Sequence, residues 1–157
     1  MDLLFYDSPV GRLALMGEGD ELIALSLPNQ PVPLIMERET PVLRETKEQL
    51  QAYFSGTLRE FEVPIRLEGT PFRLKVWQAL QQIPYGQVIS YGELAHRIGQ
   101  PAACRAVGGA NHHNPISIII PCHRVIAADG TIGGYGGGIE LKRKLLKLEG
   151  VTGGELF

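Results

Sequence analysis

Ile116-Ser117-Ile118-Ile119-Ile120-Pro121-Cys122-His123-Arg124-Val125-Ile126 is an apolar run that ends in a proline, a thiol, an imidazole and a guanidinium before the chain turns apolar again. Ile116 to Ile120 reads as a buried strand, with Cys122 and His123 just beyond its end. A cysteine in such a place can be an inert small hydrophobe. Beside an imidazole it can be a nucleophile, because the thiolate is the reactive form and a neighbouring imidazole or cation draws the thiol pKa down from about 8.5. Successive side chains on a strand face opposite sides, so Cys122 and His123 meet only where the chain turns, or through a water. A metal site is a poorer reading: Cys104, His112, His113, Cys122 and His123 contain no C-x-x-C or H-x3-H spacing.

Before this stretch, residues 70 onward read as helical. Thr70 and Pro71 offer an N-cap and a first-turn proline to a helix whose apolar positions Phe72, Val76, Ala79, Leu80 and Ile83 follow the 3.6-residue period. Pro84-Tyr85-Gly86 turns the chain into Gln87-Val88-Ile89. Ser90, with Glu93 three residues on, has the spacing of a capping box for a short helix ending at Gly99. Pro101 is expected to start a further helix that runs through Arg105 and Val107 to the Gly108-Gly109 pair. Two short helices across a glycine-containing turn form a helix-turn-helix pattern, and small residues on the second would let it approach a groove closely.

The first half reads as a small meander and a helix: Leu3 to Tyr6, a turn at Ser8-Pro9-Val10-Gly11, Arg12 to Met16, a turn at Gly17 to Asp20, then Leu22 to Leu27. Thr40-Pro41 starts a helix carrying Leu43, Leu50, Tyr53 and Phe54 and closed by Gly56, and Phe61 to Leu67 is expected as one more strand. No site chemistry is visible here. The expected organisation is therefore α+β, with residues 1–69 a sheet-and-helix scaffold domain and residues 70–157 a mostly helical domain carrying the helix-turn-helix and the cysteine.

With 157 residues, 44% of them apolar, the chain has ample material for a core. No stretch approaches 18 apolar residues in a row, Met1-Asp2-Leu3-Leu4 has no leader pattern, and there are two cysteines. A cytoplasmic protein with no membrane partner is expected. The net charge of −2 hides a split: residues 1–70 carry a net of −6 and residues 71–157 a net of +4, so an anionic ligand is expected to meet only the second half.

Taken in order, Arg105-Ala106-Val107-Gly108-Gly109-Ala110, Asn114-Pro115, Ile120-Pro121-Cys122-His123-Arg124-Val125, Gly133-Gly134-Tyr135 and Glu149-Gly150 resemble the motifs of the O6-alkylguanine-DNA alkyltransferases. The resemblance spans roughly residues 70–150, and the first half matches only in outline. A zinc site of some members has no counterpart, since residues 1–70 contain neither Cys nor His. Relatives without activity lack the cysteine that this chain keeps.

The resemblance implies direct, irreversible repair, one transfer per molecule, from O6 of alkylated guanine in double-stranded DNA to Cys122, by a monomer with no cofactor and no metal. It makes His123 the base that takes the thiol proton through a water, Glu149 the group that holds the imidazole tautomer, Tyr91 a hydrogen-bond donor to the guanine ring, and Asn114 a hinge. Arg105 is implied as the residue that fills the gap left by a flipped nucleotide in a minor groove met also by Ala106, Gly108, Ser90 and Tyr91. Pro121, Val125, Gly133, Tyr135, Gly136 and Gly137 are implied as the pocket. Arg124 is expected to order the site rather than to contact phosphate. Alternatives are a helix-turn-helix protein that binds DNA lesions without chemistry, or a cysteine hydrolase using Cys122 and His123.

Overall fold

A computed structural model describes residues 1–153, and two compact units form within it: Met1–Leu67 together with Pro115–Ile119, and Glu68–Asn114 together with the chain from Ile120 onward. The expected second domain, 70–157, includes residues 154–157, which lie outside the described residues.

The first unit is built on three antiparallel strands in the order β1 (Asp2–Ser8), β2 (Gly11–Glu18), β3 (Glu21–Ser26), with Leu4 opposite Leu15 and Ser8 opposite Gly11. Gly11 closes the first hairpin at φ +110, and a Cβ there would stand 2.7 Å from Pro28 Cγ, so both backbone and space demand glycine. Helix α1 (Pro41–Phe54) covers the sheet with Leu43, Leu50 and Tyr53, all fully buried. Thr40 accepts the Leu43 N–H at 3.4 Å, Pro41 occupies a position whose N–H would be orphaned anyway, and Gly56 at φ +83 ends the helix.

The expected strand from Phe61 to Leu67 is reduced to one parallel bridge, in which Leu22 N–H donates to Pro64 O at 2.8 Å and Arg66 N–H to Leu22 O at 3.0 Å. Pro64 has no N–H to extend a ladder. The expected strand from Ile116 to Ile120 is also corrected. Leu25 N–H donates to Pro115 O at 2.9 Å and Ile116 bridges Leu25, but Ile118 adopts φ 72, a left-handed conformation rare for a β-branched residue, and the chain turns there.

The second unit contains α2 (Pro71–Leu80), β4 (Ile89–Ser90), α3 (Tyr91–Arg97), α4 (Cys104–His112), β5 (Val125–Ile126) and α5 (Ile139–Leu148). Thr70 caps α2 by accepting the Arg73 N–H at 3.2 Å, and Ser90 caps α3 by accepting the Glu93 N–H at 3.1 Å. Glu93 does not complete the capping box; its carboxylate takes Arg97 Nε at 3.2 Å instead. β4 pairs in parallel with β5, Ile89 opposite Val125. Helix α4 departs from expectation at both ends: Ala103 N–H bonds Gln100 O at 2.9 Å to close a turn before it, and it runs through Gly108-Gly109 to His112. Its buried face, Val107, Ala110 and Asn111, lies in a helix that packs on α2 and α3, and Trp77 Nε1 donates to Ala110 O at 2.9 Å. That packing outweighs the roughly 1 kcal/mol that each interior glycine costs a helix.

The architecture is thus α+β, a sheet-and-helix unit and a mostly helical unit with the helix-turn-helix α3–α4. No helix among the described residues is long and apolar enough to cross a membrane.

Candidate active site

Cys122–Arg124 form one 3-10 turn, closed by Arg124 N–H on Pro121 O at 3.0 Å and preceded by Cys122 N–H on Ile120 O at 2.8 Å. A turn in place of a strand removes the alternation that would send neighbouring side chains to opposite faces, so both can serve one site. All three residues are buried, Cys122 at 4% exposure, His123 at 0% and Arg124 at 7%.

Glu149 follows the last residue of α5 and its carboxylate is fully engaged. His123 Nε2 lies 2.7 Å from Oε2, Arg124 Nε donates to Oε1 at 2.7 Å and Arg124 Nη2 to Oε2 at 3.0 Å, while Nη1 reaches Ile83 O at 2.7 Å. Burial alone would raise the Glu149 carboxyl, but the bonds and charges of His123 and Arg124 outweigh it and hold the group well below the usual carboxylate range. An ionised carboxylate only accepts, so the imidazole carries its proton on Nε2 and keeps a lone pair on Nδ1. Among the described residues Nδ1 bonds no protein group. Burial also holds His123 below its ordinary pKa, an effect that Glu149 opposes only in part, so the ring rests neutral and able to accept a proton.

The thiol is tuned by opposing influences. Burial raises the Cys122 pKa, while a hydrogen bond from Asn114, the Lys142 ammonium and the Tyr135 hydroxyl pull it down without overcoming burial. Cys122 therefore rests as a thiol and becomes a thiolate only when a base removes its proton. Lys142 has no exposed surface; its Nζ donates to Val125 O at 2.6 Å and Gly134 O at 3.0 Å, and burial lowers its pKa to about 8. It thus ties β5 to the glycine-rich segment before α5 and sets a cation near the sulfur. Burial, with the charges of Cys122 and Glu149, raises the Tyr135 phenol far above its ordinary pKa and keeps it a donor.

Around the thiol, Pro121 and Val125 are buried on either side of the turn. Gly133 adopts φ +71, and a Cβ there would meet Ala127 N at 3.4 Å and Tyr91 Cε2 at 3.5 Å; Gly136 and Gly137 form the turn that leads into α5. Tyr91, the first residue of α3, is half-buried; burial and then Cys122 raise its pKa, its phenol bonds Asn111, and it stays protonated. Asn114 follows the cap of α4 and is buried, with Nδ2 donating to Ile120 O at 2.7 Å, which ties the end of that helix to the residue before Pro121. Arg105 and Ala106 are exposed on α4, Gly108 is partly so, and the Ser90 hydroxyl is occupied as the cap of α3.

Residues 71–151 match the family model of the 6-O-methylguanine DNA methyltransferase DNA binding domain, and residues 4–67 match that of the ribonuclease-like domain of the same proteins. The chain belongs to this family. It is 52% identical over 146 residues to the methylated-DNA–protein-cysteine methyltransferase of Mycobacterium tuberculosis strain H37Rv, covering 91% of this chain and 88% of that one. To the methyltransferase of the same description from Methanosarcina acetivorans it is 46% identical over 149 residues, 92% of this chain and 96% of that one. The crystal structure of Mycobacterium tuberculosis OGT in complex with DNA superimposes with a TM-score of 0.90 at 50% identity, over 95% of this chain and 92% of that one.

Two residues at the centre of this family member escape a reading of motifs. Lys142 sits on the buried face of α5 with Leu141, Leu145 and Leu146, and a lysine at core spacing is the signal that marks it. Asn111 occupies the same kind of position on α4, one turn from Val107, and is 6% exposed. No group of three or more His, Cys, Asp or Glu among the described residues is arranged to hold a metal ion.

Proposed function

We propose that this protein repairs DNA by moving the alkyl group from O6 of an alkylated guanine in double-stranded DNA to Sγ of Cys122, irreversibly and once per molecule. The observation that carries this reading is a buried thiol followed directly by a neutral imidazole whose Nε2 is held 2.7 Å from an ionised carboxylate. His123 accepts the thiol proton at Nδ1 through a water, and Glu149, clamped by Arg124, holds the tautomer and stabilises the imidazolium that forms. The thiolate attacks the alkyl carbon, the sulfur–carbon bond forms, and the carbon–oxygen bond breaks with its electron pair left on the base. Tyr91 donates to the ring as that charge develops. Pro121, Val125, Gly133, Tyr135, Gly136 and Gly137 line the pocket. A thioether has no route back, and no cofactor enters.

The alkyl carbon lies inside the duplex, so the base must be flipped out at a cost of a few kcal/mol. Helix α4 suits a minor groove: among the described residues a Cβ on Gly108 or Gly109 would meet nothing within 4 Å beyond its own stretch of helix, so neither glycine is there for packing against another element. Exposed Arg105 fills the vacated stack, Ala106, Gly108, Ser90 and Tyr91 face the strand, and Asn114 is the hinge between α4 and the Cys122 turn. Residues 1–69 act as scaffold, and residues 70–157 bind DNA and carry out transfer. The working form is a cytoplasmic monomer. Incubation with a duplex containing O6-methylguanine, followed by intact and peptide mass measurement, tests the proposal. One methyl on Cys122 supports it; tight binding without an adduct, or turnover of ester substrates, replaces it with a lesion binder or a hydrolase.

Arg105→Ala is expected to slow repair of duplex DNA at least tenfold more than reaction with free O6-benzylguanine, which needs no flipping. Single-turnover rates on the two substrates check this, and equal slowing removes the finger role. Lys142→Met removes the cation that favours the thiolate and leaves two carbonyls without their donor. Transfer to Cys122 from free O6-benzylguanine is expected to slow roughly tenfold at pH 7, as for a thiol pKa one unit higher. The deficit narrows above about pH 8, where the native lysine itself loses its proton. A deficit constant across the pH series would leave Lys142 only its mechanical role.

A further inference from the structure

Between α4 and the nucleophile the chain makes two γ-turns of opposite hand. Ile119 N–H donates to Ser117 O at 2.9 Å across Ile118 at φ 72, and Cys122 N–H donates to Ile120 O at 2.8 Å across Pro121 at φ −81 and ψ 63. The second is the common form, and the proline ring already holds its φ. The first is the rare form with positive φ, strained for any residue with a Cβ and most of all for a β-branched one. Glycine would fit there freely, yet the position carries isoleucine. Burial holds it: Ile118 is 1% exposed and belongs to the first unit, where Ile116 pairs with Leu25. Strain kept in place of an easier residue gathers where the conformation itself is used.

We infer that Ile118 is a positioning residue: its left-handed backbone, pinned by its buried side chain, aims the Cys122 turn for attack on the alkyl carbon. The inference rests on the alkyltransferase reading above. Relaxing Ile118 from φ 72 to the extended value near −120 would swing the chain after it by roughly 170° about that bond. Ile120, two residues on, anchors the turn. Its carbonyl accepts both Asn114 Nδ2 at 2.7 Å and Cys122 N–H at 2.8 Å. A swing that moved this carbonyl would loosen both bonds and displace the sulfur, and a misplacement of about 1 Å can slow a reaction a hundredfold. Buried as it is, Ile118 acts through the backbone.

Single-turnover transfer from a duplex carrying O6-methylguanine, with protein in excess and its concentration varied, gives a saturating rate and a half-saturating concentration for the native protein, Ile118→Ala and Ile118→Gly. Alanine loses the buried anchor but keeps the Cβ that disfavours positive φ. The competent backbone is then only fractionally populated, and the saturating rate is expected to fall roughly tenfold. Glycine loses still more packing but accepts φ 72, and is expected to recover the rate to within about threefold of native. Half-saturation is expected to stay within about threefold in both, since the loss lies in the reacting geometry and not in binding. If Ile118 served packing alone, glycine would be the poorer of the two. Glycine as slow as alanine, or a native rate in alanine, overturns the inference, and so does a glycine variant that fails to fold. If alanine fails to fold, Ile119→Pro takes its place: it spares the Ile118 side chain, removes the N–H that closes the turn and biases Ile118 toward extended backbone, so a saturating rate about tenfold lower is expected there while glycine stays fast. A native rate in Ile119→Pro overturns the inference. No transfer by the native protein defeats the alkyltransferase reading itself.

Discussion

Cys122→Ser is expected to abolish alkyl transfer, by roughly three orders of magnitude or more, while binding to alkylated duplex changes no more than a few fold. A serine hydroxyl is a far poorer nucleophile than a thiolate at neutral pH. The base proposed for this site is weak as well: burial keeps the His123 pKa below its ordinary value, so the ring would take the proton of a thiol but is poorly matched to that of an alcohol. Little else changes. Serine is nearly isosteric with cysteine, the 3-10 turn is closed by backbone bonds, and Lys142 and Asn111 hold backbone carbonyls rather than the sulfur. Mass measurement after incubation reads transfer, and fluorescence anisotropy of a labelled duplex reads binding. Equal loss of both would make Cys122 a packing residue.

Glu149→Gln is expected to slow transfer by roughly two orders of magnitude and to cost about 3–5 kcal/mol of stability. The stability loss arises because Arg124, 7% exposed and bonded through Nε and Nη2 to this carboxylate, is left as a buried cation without its counter-charge. The rate loss arises because a neutral amide no longer fixes the His123 proton on Nε2 or favours the imidazolium. Removing both ends of the pair, Arg124→Leu with Glu149→Leu, is expected to destabilise less than Glu149→Gln alone, since no uncompensated charge remains. Chemical denaturation at pH 7 measures each.

The same cluster sets the acid limit of the fold. Glu149 is held well below the carboxylate range when folded and returns to about 4.3 when unfolded, so the unfolded chain binds more protons in acid. Its contribution is complete above about pH 5 and is lost as the pH falls towards the folded value. His123, lowered by burial, adds a loss that begins below about pH 6.5, where the unfolded imidazole charges and the folded one does not. Stability followed from pH 7 to pH 4 is therefore expected to fall throughout, and the Glu149→Gln variant to fall less steeply below pH 5.

Much of the fold was legible because its determinants are neighbours in the chain. Thr40, Thr70 and Ser90 announce helices whose third N–H groups they accept, Pro41 and Pro71 stand where a missing N–H is harmless, and the meander shows its first turn in Ser8 to Gly11; the turn expected from Gly17 to Asp20 narrows to Gly19-Asp20, because Gly17 and Glu18 pair with Leu22 and Glu21. Where local signals misled, a longer-range interaction or a missing one decided. Phe61 to Leu67 has the composition of a strand but Pro64 breaks its ladder, and the Gly108-Gly109 pair looks like a helix end but lies inside α4 because its buried face is packed.

Sequence alone determined that Cys122, His123 and Glu149 are present in an order that resembles a known repair chemistry, that the positive charge lies in the second half, and that the chain is α+β. Tertiary structure alone decided what those groups are chemically. His123 meets its carboxylate 26 residues away, Arg124 meets the same one 25 residues away, and Lys142 reaches the carbonyl of Val125 across 17 residues. A cap or a turn is an interaction between neighbours and is written in adjacent letters. A proton affinity is a sum over every charge, dipole and water that folding brings near or drives away, so whether Cys122 rests as a thiol, which nitrogen of His123 is bare, and that Lys142 belongs to the site at all exist only once the chain has closed around them.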